Sequence, residues 1–242
     1  MAGIFEAEAR EVGAAALWRR HEDFGAEDLR VAVGGRVMDL FTPACRYEDV
    51  FLPIRGAHQA DNAAVALAAA QAFTGTPLSE GLVAEALASV TAPGRMEVMH
   101  RNPTVVLDGA HNLAGAASAG AALAEDFSGA ARVIVVMGCL RGREPAEMLG
   151  ALTGATSSDS PGGAPKIEQV IACTPPSPRA IPAEEVTRAA RSLGLSAPDV
   201  DPSRSTVGEA IELALATARP DDVLLVTGSL YVVGAARTLL NG

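Results

Sequence analysis

The amino-acid sequence predicts an α/β protein whose C-terminal part holds a mainly parallel sheet, preceded by a smaller unit of hairpin and helices. Three observations carry this. From Thr104 onward, short continuous apolar runs alternate with helical stretches, the pattern of strands covered on both faces in a parallel sheet. Before that, extended runs flank a Gly-Gly pair and are followed by Ala-rich helical sequence. Between the two regimes, Thr91-Ala92-Pro93-Gly94 interrupts the chain, and a Pro-Gly pair after a helical run marks a boundary. The expected division is therefore 1–92 and 93–242.

Each element follows in order. Residues 6–20 read as a helix, with Glu early and Arg-Arg late in keeping with the helix dipole. Residues 29–33 and 36–41 read as a hairpin about Gly34-Gly35, since glycines supply the positive φ of a two-residue turn. A strand at 49–54 and helices at 59–73 and 78–90 complete the first part. Beyond the break, strands are expected at 104–107, 132–137, 169–173 and 222–226, with a weak fifth near 199–200. Helices are expected at 114–126, 145–152, 183–193, 207–218 and 230–240. Residues 153–165, rich in Gly, Ser and Pro, read as a solvated loop.

Composition narrows the function classes. With 242 residues the chain can bury a sizeable core, and with aromatics at only 4% that core must rest on Ala, Val and Leu. No apolar stretch approaches the ~20 residues of a membrane-spanning helix, and no basic region followed by an apolar run opens the chain, so neither membrane association nor secretion is expected. Three widely spaced cysteines, Cys45, Cys139 and Cys173, argue against a disulfide framework and for a reducing, cytoplasmic setting. No Cys-x-x-Cys or paired-His spacing suggests zinc. A net charge of −10 disfavours nucleic-acid binding, which depends on Lys and Arg. It also means that an anionic ligand needs local arginines to outweigh the global field.

Several segments could carry chemistry. In Leu107-Asp108-Gly109-Ala110-His111-Asn112, Asp108 ends a strand and His111-Asn112 open a helix. In open α/β sheets the ligand crevice lies at the strands' carboxyl ends. A carboxylate there can accept from ribose hydroxyls, and an imidazole can contact phosphate or substrate; equally, Asp108 or Asn112 can simply cap the helix. In Pro93-Gly94-Arg95-Met96-Glu97, Arg95 offers a guanidinium fork suited to phosphate, or else a surface pair with Glu97. In Gly56-Ala57-His58-Gln59-Ala60-Asp61-Asn62, the amides can cap a helix or read an adenine edge. Gly138-Cys139-Leu140-Arg141-Gly142 departs from Gly-x-Gly-x-x-Gly and reads as a turn. In Val226-Thr227-Gly228-Ser229, Ser229 can hold a carboxylate or cap the next helix.

Taken in order, Arg55-Gly56-Ala57-His58-Gln59-Ala60-Asp61-Asn62, Pro93-Gly94-Arg95-Met96-Glu97, Leu107-Asp108-Gly109-Ala110-His111-Asn112 and Thr227-Gly228-Ser229-Leu230-Tyr231-Val232-Val233-Gly234 resemble the folylpolyglutamate synthase/dihydrofolate synthase family of the Mur ligase superfamily. The resemblance implies a Rossmann-like C-terminal domain preceded by the tail of a central ATPase domain. It implies ATP and Mg2+ as cofactors, L-glutamate and a folate or dihydropteroate as partners, and an N-terminal domain in cis or trans. By the same resemblance Asn62 faces the adenine, Arg95 the phosphates and Asp108 the ribose. His111 lies near the phosphates or the incoming amino acid, and Ser229 helps to hold glutamate. Arg141-Gly142-Arg143-Glu144 stands where the family commonly has Asp-Lys-Asp. A phosphate loop, Gly-x-x-x-x-Gly-Lys-Ser/Thr, is absent from these 242 residues, so the magnesium ligands are expected upstream. Two alternatives remain open: a non-catalytic paralogue or partner of a separate ATPase chain, and a dehydrogenase, against which the missing Gly-x-Gly-x-x-Gly counts.

Overall fold

A computed structural model describes residues 2–156 and 166–241. It divides into two compact units, Met1–Pro53 with Ala57–Val90, and Ile54–Gly56 with Thr91–Gly242. The division after Val90 lies close to the expected 92/93, but the short segment Ile54–Gly56 groups with the second unit. Its attachment is physical: the Gly56 N–H donates to Asp126 Oδ2 at 2.9 Å and the Arg55 guanidinium lies 5.7 Å from the Phe127 ring centre.

The first unit holds helix α1 (Ala2–Glu11), strands β1 (Gly25–Ala32), β2 (Gly35–Phe41) and β3 (Arg46–Leu52), and helices α2 (His58–Thr74) and α3 (Glu80–Ala88). The three strands form an antiparallel sheet in the order β1-β2-β3. Met38, Leu40 and Leu52 on the sheet and Ala63, Ala64 and Leu67 on α2 are buried. Two expectations change here. The helix predicted over 6–20 stops at Glu11, because Gly13 adopts φ 66, outside the right-handed helical region. The hairpin turn is Val33-Gly34, since Ala32 pairs with Gly35. Gly34 supplies the positive φ (85), whereas Gly35 is a glycine for space: a Cβ there would lie 2.1 Å from Leu52 O.

The second unit runs β4 (Glu97–Arg101), β5 (Thr104–Leu107), α4 (Leu113–Asp126), β6 (Val133–Met137), α5 (Pro145–Thr156), β7 (Ile167–Ala172), α6 (Ala183–Ser192), a 3-10 turn Pro202–Arg204, α7 (Val207–Thr217), β8 (Val223–Thr227) and α8 (Leu230–Leu240). Its sheet has the order β4-β5-β8-β6-β7, parallel except for β4. Successive residues of one strand serve opposite cores. Val133, Val135, Val223 and Leu225 pack with α4, α5 and α6, while Ile134, Val136, Leu224 and Val226 pack with α7 and α8. That two-sided burial is why the strands read as unbroken apolar runs.

The weak strand expected at 199–200 is not formed. Only an isolated bridge joins Ser196 to Gln169, and the chain passes into the 3-10 turn that Asp201 caps through Ser203 N. Pro198 and Pro202 flank the segment and cannot donate to a ladder. Of the loop expected at 153–165, α5 takes residues up to Thr156, and 157–165 lie outside the described residues. Parallel order brings the carboxyl ends of β5, β8, β6 and β7 to one edge. Helices α4 and α8, which follow neighbouring β5 and β8, pack on opposite faces there, and this divergence opens a crevice. Among the described residues no helix is long and apolar enough to cross a membrane.

Candidate functional site

At the end of β5, Asp108 is buried and its carboxylate ties two strand ends together. Oδ2 accepts from Met96 N at 3.0 Å and Oδ1 from Ala110 N at 2.9 Å. Each carboxylate oxygen has lone pairs beyond one bond, so a clamped carboxylate can still accept. Gly109 follows, and its N–H donates to Gly94 O at 2.7 Å. The Arg95 guanidinium lies directly over Gly109: a Cβ there would sit 2.6 Å from Arg95 Nη1 and 2.5 Å from Leu230 Cδ2. Arg95 does not pair with Glu97. That carboxylate instead accepts from Arg237 Nε at 3.1 Å and from Gly94 N at 2.7 Å. Among the described residues no carboxylate forms an ion pair with Arg95, so the surface-pair reading is removed.

His111 stands one turn further. Its Nδ1 lies 2.9 Å from Gly109 O; because a carbonyl only accepts, Nδ1 carries the proton and Nε2 is left as the acceptor nitrogen. His111 lines a cavity of about 180 Å³ with Arg141, Arg143, Arg179, Ser229 and Tyr231 among its walls. These come from the carboxyl ends of β5, β6, β7 and β8, which is why residues far apart in sequence meet. Ser229 is buried and caps α8, its Oγ accepting from Val232 N at 3.2 Å. Asn112 caps α4 through Gly115 N at 2.8 Å. The helix-cap reading therefore holds for Asn112 and Ser229, while both caps also aim positive helix ends toward this edge of the sheet.

Asn62 belongs to the first unit. It is exposed on the first turns of α2 and its Nδ2 donates to Gln59 Oε1 at 3.0 Å. No side chain caps α2, so the capping reading of these amides falls away. Thus Arg95, Asp108, His111 and Ser229 gather on one sheet edge, and Asn62 is described in its own unit. Cys139 and Cys173 are core residues whose thiols burial pushes up to about 12, which makes them poor nucleophiles. The sequence alone reads Arg141 as part of a turn and marks nothing at Arg179. The arginine at 179 has no local pattern, and only the pairing of the loops after β6 and β7 reveals it. Among the described residues no group of three or more His, Cys, Asp or Glu could hold a metal ion.

Comparison with known proteins identifies the family. The family pattern described as "Mur ligase, glutamate ligase domain" matches residues 94–230. The dihydrofolate synthase/folylpolyglutamate synthase of Mycobacterium tuberculosis is 34% identical over 94% of this chain and 47% of its own length. The structure of Mycobacterium tuberculosis folylpolyglutamate synthase complexed with ADP superposes with a TM-score of 0.86 at 31% identity, over 100% of this chain and 52% of that one. The bifunctional folylpolyglutamate synthase/dihydrofolate synthase of Yersinia pestis, complexed with AMPPNP and Mn ion, gives 0.75 at 26% identity, over 98% and 50%. The chain spans about half the length of these relatives. By the family pattern and these homologies, the chain belongs to the Mur ligase superfamily, carrying its glutamate ligase domain in the form found in the C-terminal part of folylpolyglutamate/dihydrofolate synthases.

Proposed function

We propose that this chain forms the C-terminal portion of an ATP-dependent carbon–nitrogen ligase that adds L-glutamate to a folate or dihydropteroate carboxylate through an acyl phosphate. Residues 1–92 are then the end of the central ATPase domain and 93–242 the ligase domain. The observation that carries the reading is Arg95, a guanidinium with no carboxylate partner among the described residues, held over Gly109 beside the buried Asp108. A guanidinium with no ion-paired carboxylate among the described residues suits the charge that grows on a transferred phosphoryl group.

Within the second unit, Asp108 would offer a carboxylate to the ribose and Arg95 a fork to the phosphates. Asn62, in the first unit, has an exposed amide of the kind that reads a base edge. ATP, when bound, would supply the phosphoryl group that turns the acceptor carboxylate into an acyl phosphate, from which the amine displaces phosphate. The residues do not fit Mg2+, since no cluster of metal-ligating side chains occurs among those described, and no step is assigned to the ion here. His111 and Ser229, in the cavity at the strand ends, would hold the incoming glutamate with its amine free to attack. Exposed Ile4 and Phe5 on α1, and Phe73 on α2, are apolar surface suited to a phosphate-loop-bearing N-terminal domain in cis or trans. Three free cysteines, two of them buried, accord with a reducing cytoplasm.

Arg95→Ala in the complete ligase is expected to cost roughly 10²–10³ in turnover, the scale for losing one transition-state donor. Steady-state kinetics measures it, and unchanged turnover and ATP affinity would remove Arg95 from the mechanism. A gentler variant tests the same geometry. In Gly109→Ala the new methyl displaces Arg95 Nη1 and Leu230 Cδ2, both ends of flexible side chains. The fold should lose less than about 1 kcal/mol, while turnover falls by roughly tenfold as the guanidinium is displaced. Turnover at the parent level in the Gly109→Ala variant would separate Arg95 from the reaction.

A second reading is a non-catalytic nucleotide- or glutamate-binding paralogue or partner of a separate ATPase chain. Ligation restored by a supplied phosphate-loop half decides for the first reading.

A further inference from the structure

The first unit builds an environment around Cys45 that the ligase reading does not use. Cys45 closes the turn from β2 into β3: Thr42 N donates to Cys45 O at 2.9 Å, and Cys45 N to Thr42 Oγ1 at 3.3 Å. The turn brings Cys45 Sγ against helix α2, where Gln71 Nε2 donates to it at 3.3 Å. Sγ in turn donates to Tyr47 Oη at 3.0 Å. Tyr47 Oη also accepts from Gln71 Nε2 at 2.7 Å and gives its single proton to Leu78 O at 2.8 Å. Thr42 Oγ1 stands 3.8 Å from Sγ. Cys45 stays partly exposed at this turn, whereas Cys139 and Cys173 are buried.

One atom of this network has nothing to bond. Gln71 is only 4% exposed, and its Oε1 is buried without a donor among the described residues, while the Nε2 of the same amide rests on Sγ. Exchanging the two amide atoms does not repair this. Tyr47 Oη would then face two acceptors, Gln71 and Leu78, with one proton to give. The pocket around Sγ is therefore one donor short, and a buried unpaired acceptor is unfavourable. Cys45 is also set to react. Burial raises its thiol, but the bonds from Tyr47, Gln71 and Thr42 outweigh burial and the opposing Glu80 carboxylate, and hold the thiol below its ordinary value. Burial pushes the Tyr47 phenol up to about 12, so it keeps its proton beside the sulfur.

We infer that Cys45 is a site of oxidation by hydroperoxides, and that the sulfenic acid formed there is held by its new hydroxyl donating to Gln71 Oε1. The sulfur attacks the outer oxygen of the peroxide. An S–O bond forms as the O–O bond breaks, sulfur loses two electrons to the peroxide, and the leaving hydroxide or alkoxide takes up the thiol proton. The product carries the donor that the reduced pocket lacks. Tyr47 Oη, no longer receiving the S–H, keeps its bonds to Gln71 and Leu78. The modification belongs to the first unit and needs neither nucleotide nor amino acid.

The test exposes residues 1–242 to hydrogen peroxide in the presence of dimedone, which traps sulfenic acids, and reads each cysteine by peptide mass mapping. The adduct should form at Cys45 roughly tenfold or more faster than at Cys139 or Cys173, whose thiols burial pushes up to about 12. It should also form faster than on glutathione, a free thiol, which mere accessibility of a partly buried sulfur would not give. Gln71→Leu removes the acceptor and should cut the Cys45 adduct by roughly tenfold, the scale of one lost hydrogen bond, with circular dichroism showing the fold retained. An adduct at Cys45 no faster than on glutathione, or undiminished in Gln71→Leu, overturns the inference. Equal labelling of all three cysteines, the mark of unfolding, overturns it too. The comparison with glutathione needs no variant, so it decides even where Gln71→Leu does not fold.

Discussion

Gly228→Ala is expected to destabilise the second unit by about 2–5 kcal/mol, the sum of a strained backbone and an overfilled contact. Gly228 has φ 100, where L side chains rarely settle. A Cβ there would lie 2.5 Å from Gly138 O and 3.1 Å from Gly138 C, both backbone atoms that cannot swing aside. Relief would require the ends of β6 and β8 to part, and they are joined by the pairing of Met137 with Thr227. Gly138 is constrained in turn, since its own Cβ would meet Cys173 O at 2.8 Å beyond β7. Glycines thus let three strand ends approach closely, and that approach forms the floor on which His111, Arg179 and Ser229 meet. Urea unfolding followed by far-UV circular dichroism measures the loss. Trp18, the one tryptophan, lies in the first unit, so its fluorescence transition should stay in place. A midpoint corresponding to less than about 0.5 kcal/mol of change would show that the contact relaxes freely.

How much of this was legible in the sequence depended on how local each signal is. β5, β6 and β8 are continuous apolar runs because both faces are covered, and they stand within a residue or so of expectation. β4 escaped notice because it is a partly exposed edge strand whose pairing is interrupted by a register shift between Val98 and His100, so neither alternation nor a solid apolar run marks it. The overlong first helix follows the charge pattern of Glu6 and Arg19, yet Gly13 ends it and the pair forms across the break instead. Among site residues, Arg95 and Asp108 could be singled out from motif order, but their partners could not. Asp108 bonds to Met96, and Glu97 is taken by Arg237 from the far end of the chain. Arg179 was invisible for the same reason: its place is made by the loop after β6, which no spacing in the sequence announces.

Residues 1–242 alone are expected to show neither ATP hydrolysis nor ligation. Arg95 and Asp108 can hold at most one side of a nucleotide. The other side of a phosphate site needs backbone N–H groups that cradle the phosphates, a Lys that reaches them and a hydroxyl on the metal. The sequence has no Gly-x-x-x-x-Gly-Lys-Ser/Thr to provide these, and the described residues contain no cluster of metal-ligating side chains. Positioning and charge stabilisation make up nearly all of phosphoryl-transfer catalysis, so removing one wall of the site should abolish turnover, not merely slow it. Helix ends at α4 and α8 and the arginines of the cavity do not compensate, because they face the amino-acid side of the proposed reaction. The assay is phosphate release from ATP with magnesium, L-glutamate and a folate present, compared with a heat-killed control. Supplying a phosphate-loop-bearing half of a related ligase should bring release back, and Arg95→Ala should remove it again. Release from residues 1–242 without that half, lost on Arg95→Ala, would mean that the chain builds its own phosphate site, and its assignment as one portion of a larger catalytic unit would fall.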